Sequence, residues 1–249
     1  MLYFASVFVL LLSSSISIAT SFASSGESKG FVDPVSHAEV PLRKSKDADG
    51  NVMQSCWNFK SWALIEVNDP ALVGSTNLEF RYRDEKNPSA DLCGLKFKGK
   101  HQKLTDLDGG FSGADQNYAF FDEGEGFGAL YAFSVFDVKS AKQVFKSTRY
   151  TQESLEVIHG KTTSLKFPIA LQVDCPLAKE GEKCWEKILK ANNLTEGLHF
   201  KMPDCLPVYK EEKSPLDNPP QLGTDVVVDD LSKPKIRYLG GVVYCVPAP

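Results

Sequence analysis

Histidine is scarce in this chain, with four among 249 residues. His37, His101, His159 and His199 all lie more than four positions from any cysteine, and no two cysteines have C-x2-C spacing. A zinc–thiolate site, which needs closely spaced soft ligands, therefore finds no support. Glycine loops of the Walker or dinucleotide type are also missing. Gly110-Phe111-Ser112-Gly113-Ala114 is not a nucleophile elbow, because its glycine is displaced from the last position of G-x-S-x-G. Excess positive charge is lacking as well: the formal net charge is −4. No nucleic-acid partner is expected from such a balance. Beyond the N-terminus no apolar run approaches the ~20 residues of a membrane-spanning helix, so no membrane span is expected in the mature chain.

The one long apolar run is N-terminal. Leu2 to Leu12 is almost unbroken, and Ser17-Ile18-Ala19 and Ser21-Phe22-Ala23 place small residues where a signal peptidase cuts. The pattern resembles a secretory signal peptide, although no Lys or Arg precedes the run. Residues 1–23 are read as that signal, and the mature protein is expected to be secreted or periplasmic. The six cysteines, Cys56, Cys93, Cys175, Cys184, Cys205 and Cys245, all lie beyond it. An even count in an oxidising compartment points to disulfides, with about 15 pairings open. Cys175 and Cys184 bracket a polar loop short enough for a local bridge. Asn193-Leu194-Thr195 is an N-glycosylation acceptor pattern, meaningful in a eukaryotic secretory pathway.

Composition divides the remainder. Residues 24–50 are polar and read as a flexible leader. Residues 51–175 read as a β domain. Leu78, Phe80 and Tyr82 alternate with Glu79, Arg81 and Arg83, the period of a half-buried strand. Leu95, Phe97 and Gly99 alternate in the same way with Lys96, Lys98 and Lys100. Tyr118 to Phe121 and Ala129 to Phe136 are apolar on both faces, which suits central strands. Residues 176–249 form a Cys- and Pro-rich segment expected to pack on the β domain. Cys184 to Ala191 sets Trp185, Ile188 and Leu189 on one helical face. Met202 to Pro220 holds Pro203, Pro207, Pro215, Pro219 and Pro220, and so reads as an irregular connection. Val226–Val228 and Val242–Cys245 would be two closing strands. The fold class is mainly β: an antiparallel sheet, sandwich or barrel, with one short helix and an irregular, disulfide-bearing, Pro-rich C-terminal segment.

Between Lys103 and Lys139 there is no Lys or Arg, while Asp106, Asp108, Asp115, Asp122, Glu123 and Glu125 accumulate among glycines. Clustered carboxylates on flexible loops are what calcium takes, and Thr105-Asp106-Leu107-Asp108-Gly109-Gly110 begins like a calcium loop before departing from it. These six are the candidate metal ligands and calcium the candidate cofactor, against solvated acidic loops. A pair of the same carboxylates about 5–10 Å apart would suit glycoside hydrolysis, with Phe111, Tyr118, Phe120, Phe121 and Phe127 near enough to stack on a sugar. Lys96, Lys98, Lys100, His101 and Lys103 form a basic stripe that a strand would project from one face.

Val135 to Phe145 resembles the strand–Asp-turn–strand hairpin of β-propeller blades, with Ala141 where a blade often has glycine. Val227 to Ile236 is a looser echo. Asp137 and Asp229 are 92 positions apart with no copy midway, so no blade period follows. With no complete catalytic signature, the reading is a non-enzymatic binding or envelope-associated protein with an extracellular or envelope ligand. The alternative is a secreted hydrolase of glycan or another polymer using the 106–125 carboxylates.

Overall fold

The computed structural model describes residues 29–246, apart from 73–76, 87, 89–90, 106, 108, 126–129, 151–154 and 195–198, and only the backbone of Gly124 and Glu125. The apolar N-terminus, Asp106, Asp108, Phe127 and the Glu125 side chain lie outside the described residues.

The chain is mainly β, and its strands form three antiparallel sheets, each a meander of consecutive strands. The first holds β1 (Ser36–Lys44), β2 (Asn51–Asn58), β3 (Trp62–Asn68), β4 (Asn77–Tyr82) and β5 (His101–Leu104). The second holds β6 (Gly109–Ala114), β7 (Tyr118–Glu125), β8 (Leu130–Asp137) and β9 (Lys142–Tyr150). The third holds β10 (Glu156–His159), β11 (Thr163–Leu171), β12 (Gln221–Val228) and β13 (Ile236–Val246). Three short helices, α1 (Leu177–Glu180), α2 (Glu182–Ala191) and α3 (Leu206–Glu212), lie between β11 and β12.

Side chains alternate across a strand, so a strand apolar at every position must be covered on both faces. β7 shows this: Ala119 and Phe121 pack against Trp62, Leu64 and Phe80 of the first sheet. Phe120, between them in sequence, joins Phe133 of β8 and Leu165, Phe167 and Val226 of the third sheet. The second sheet is thus the middle layer. Farther along the same face the third sheet packs Leu171, Leu222 and Val243 against Trp185 and Ile188 of α2 and Tyr209 of α3. Each fully buried Phe or Leu contributes about 1.5–3 kcal/mol through apolar burial.

Three disulfides tie loops and helices to the sheets they cover: Cys56–Cys93, Cys175–Cys184 and Cys205–Cys245. The middle one is the local bridge expected from its spacing. The others close 37 and 40 residues, and loops of that length stabilise by about 4 kcal/mol each on the chain-entropy account.

Three expectations change. The leader is structured from Lys29 onward: residues 36–44 form the edge strand β1, held by ladder pairing with β2 that polar composition does not reveal. The basic segment is no strand before His101. Its first half coils over the outer face of the first sheet, where Cys93 is bonded to Cys56 and the Arg81 guanidinium donates to the carbonyls of Leu92 and Gly94, each at 2.9 Å. Lys96, Lys98 and Lys100 therefore do not share a strand face. The proline-rich stretch contains α3, because Pro207 sits in its first turn, where no N–H is needed. The closing strands β12 and β13 pair in the third sheet with β11, through Leu165↔Val228 to Leu171↔Leu222.

The blade-like hairpin is present as β8–β9. Asp137 Oδ1 accepts the Ser140 N–H at 2.7 Å and its hydroxyl at 2.6 Å. Ala141 takes φ 51°, the left-handed conformation for which glycine is the usual residue.

Candidate ligand-binding cleft

The acidic segment does not gather its described carboxylates. Asp115 turns the β6–β7 hairpin: its Oδ1 accepts the N–H groups of Asn117 and Tyr118 at 2.7 and 2.6 Å, and its Oδ2 accepts the Thr163 hydroxyl at 2.8 Å. It is 1% exposed. Asp122 and Glu123 are neighbours on β7 and so point to opposite faces. On one face Arg149 Nη2 lies 3.1 Å from both Asp122 oxygens. On the other, Glu123 accepts from the Ser134 hydroxyl and pairs with the Lys146 ammonium. The cations missing between Lys103 and Lys139 are thus supplied by β9, the second strand over. Among the described residues no three His, Cys, Asp or Glu side chains converge as metal ligands.

A different set of residues does converge. The segment 29–35 runs as a strap that hydrogen-bonds to a strand of each sheet or its flanking residue. Lys29 exchanges backbone hydrogen bonds with the β10 side, donating to Leu155 O at 3.0 Å and accepting from Val157 N at 2.8 Å. Val32 N donates to Ala114 O on β6 at 2.8 Å, and Val35 N to Asn58 O on β2 at 2.7 Å. Phe31 plugs in beside Phe120, ring centroids 5.0 Å apart. Two glycines make room. A Cβ at Gly30 (φ +82°) would meet Val157 O at 1.9 Å, and one at Gly113 would meet the Phe31 ring at 2.4 Å. His159 Nε2 donates to Gly30 O at 2.6 Å, while its Nδ1 lies 4.0 Å from Asp115 Oδ2.

Where the strap passes from the second sheet to the first it walls a cleft of about 580 Å³. β1 and β2 overhang the edge strand β6 here. His37 and Trp57 are direct cross-strand partners, and their rings stack at 4.9 Å and 15°. Trp57 continues to Phe111, at 4.9 Å, and Phe111 to Phe59, at 6.3 Å. Trp57 and Phe111 are half-buried and His37 is exposed. The remaining tryptophans, Trp62 and Trp185, are 3% and 4% exposed. Ser112 adds a hydroxyl to the wall, and Asp33 and Lys29 bring opposite charges to it.

Sequence reading singled out Phe111 as a possible stacking residue, and the structure sets it in the cleft. Phe120 and Phe121 are wholly buried and Tyr118 nearly so. His37, Trp57 and the strap were missed, His37 because it stood in a stretch read as leader. The available signal was Gly30-Phe31-Val32 and Pro34, apolar and turn-forming residues out of place in a solvated tail. The six cysteines are all bridged, so none is left as a nucleophile. Asn193 is exposed just past α2, at φ 55°. Compared with known protein families, curated proteins and solved structures, the chain matches none.

Proposed function

We propose that this is an exported, non-enzymatic binding protein whose ligand seats in the cleft between the strap, β2 and β6. The supporting observation is the continuous aromatic wall of His37, Trp57 and Phe111, incompletely buried inside a concavity of about 580 Å³. Volumes of about 300–1,000 Å³ and a few polar groups on an aromatic lining are typical of ligand sites. The export part of this reading is supported by the signal-like N-terminal sequence together with three disulfides. Asp122 and Glu123 point to opposite faces and are engaged by Arg149, Lys146 and Ser134, which weighs against a hydrolase built on them.

The test is retention of the secreted protein on an array of immobilised extracellular polysaccharides, peptidoglycan and secreted proteins. Trp57→Ala and Phe111→Ala should each lower retention at least tenfold, while Asp122→Asn and Glu123→Gln leave it unchanged. Release of cleaved product from an arrayed polymer, abolished by Glu123→Gln, would instead establish the hydrolase reading.

A further inference from the structure

Resting on the cleft as the binding site, we infer that its ligand is a neutral saccharide, with one sugar ring laid against the Trp57–Phe111 wall. A pyranose presents two chemically distinct surfaces. One face carries C–H groups that lie favourably on an electron-rich ring, and the perimeter carries hydroxyls that need hydrogen-bond partners. The cleft offers the matching pair: aromatic rings tilted 53° to one another, beside the Ser112 hydroxyl, the Asp33 carboxylate and the Lys29 ammonium.

Other ligand classes fit less well. An ionic ligand is selected by an unbalanced charge, and here Asp33 and Lys29 line the cleft with opposite charges. A lipid chain needs an enclosed aliphatic pocket, whereas His37, Asp33 and Lys29 leave this wall open to solvent. An extended peptide would add to the free edge of β1, which borders the cleft. That edge is blunted by Pro41, which has no N–H, and by the register shift between Pro41 and Arg43.

The experiment is calorimetric titration of the full mature chain with cellopentaose, chitopentaose, mannopentaose and maltopentaose. Tetramethylammonium, indole and a phenylalanine-rich peptide serve as comparison probes. At least one oligosaccharide should bind saturably, with an affinity that changes less than threefold between 50 mM and 500 mM salt, as an uncharged ligand requires. Trp57→Ala should weaken it at least tenfold. The exposed His37→Ala, which removes no buried packing, should weaken it at least threefold and guards against a misfolded Trp57 variant. If no oligosaccharide binds but a comparison probe does, dependent on Trp57, the saccharide inference is overturned and the binding reading survives. If nothing binds, both fall. Oligosaccharide binding indifferent to Trp57 and His37 also overturns the inference, since the sugar then sits elsewhere.

Discussion

Two tyrosines, Tyr82 half-buried and Tyr150 buried, tie the sheets together through their hydroxyls. The Tyr82 hydroxyl of β4 lies 2.7 Å from both Val138 O, beyond β8, and Gln102 Oε1 of β5, and the Tyr150 hydroxyl of β9 donates to Leu222 O on β12 at 2.8 Å. Burial pushes both phenols up from 10.0 to about 12, with the Asp137 charge adding to the effect at Tyr82. A raised phenol holds its proton in the folded state after the unfolded state has lost it. Their contribution is therefore complete below pH 10 and is lost as pH rises through about 12. Alkaline melting curves should fall across that window, and the double change Tyr82→Phe, Tyr150→Phe should flatten the slope. At the β8–β9 turn, Ala141→Gly should raise stability by ~0.5–1 kcal/mol by relieving a left-handed alanine, as read by denaturant titration. At this scale the sequence was most legible where chemistry is local. The Cys175–Cys184 bridge and the Asp137 turn could be read from spacing. The fates of Asp122 and Glu123 could not, because their cations arrive from β9, 27 and 23 positions away.

Among the elements, the strap carries the largest departure from expectation. Polarity marks a segment as solvated only when nothing else pairs with its backbone. Here β10, β6 and β2 do, and unpaired strand N–H and C=O groups offer the same bonds whatever the side chains are. Gly113→Ala should drive Phe31 from its seat and destabilise the protein by about 1–3 kcal/mol, in line with overpacking elsewhere. Amide exchange should rise at Val32 and Val35 more than in the core strands, localising the damage to the strap. Arg81 is the counterpart on the opposite face. It is 8% exposed, pairs with Glu79, and holds the loop through Leu92 and Gly94. Arg81→Ala would leave the Glu79 carboxylate buried without this partner and should lower stability by about 3–5 kcal/mol in chemical denaturation. Periodicity alone read residues 95–100 as a strand, since a lysine–apolar alternation cannot show that a disulfide and a guanidinium draw the chain into a coil.

For the molecule as a whole, the mainly antiparallel β class, the middle position of the Phe-rich strands and the α2 helix were all legible, because each follows from local period and apolar content. The partition into three stacked sheets was not, since hairpin signals say which strands are neighbours but not where one meander stops and the next begins. The resemblance of β8–β9 to a propeller hairpin belongs at that intermediate level. The described strands form three meanders, below the ~4–8 blades that close a propeller. With Asp115, Asp122 and Glu123 satisfied within the chain, added calcium should leave the melting temperature unchanged, whereas a rise of several degrees would show that the chain binds the ion.

The central claim is that ligand engages the cleft and not the acidic strands of the middle sheet. Trp57 is the half-buried tryptophan, while Trp62 and Trp185 are buried. The most direct measurement is therefore a two-dimensional amide NMR titration of the protein with an oligosaccharide that it retains. The account predicts that the Trp57 indole signal moves saturably with the amides of Phe111 and Ser112, while the Trp62 and Trp185 indoles stay in place. Shifts confined to Asp115, Asp122 and Glu123 with Trp57 unmoved would contradict it.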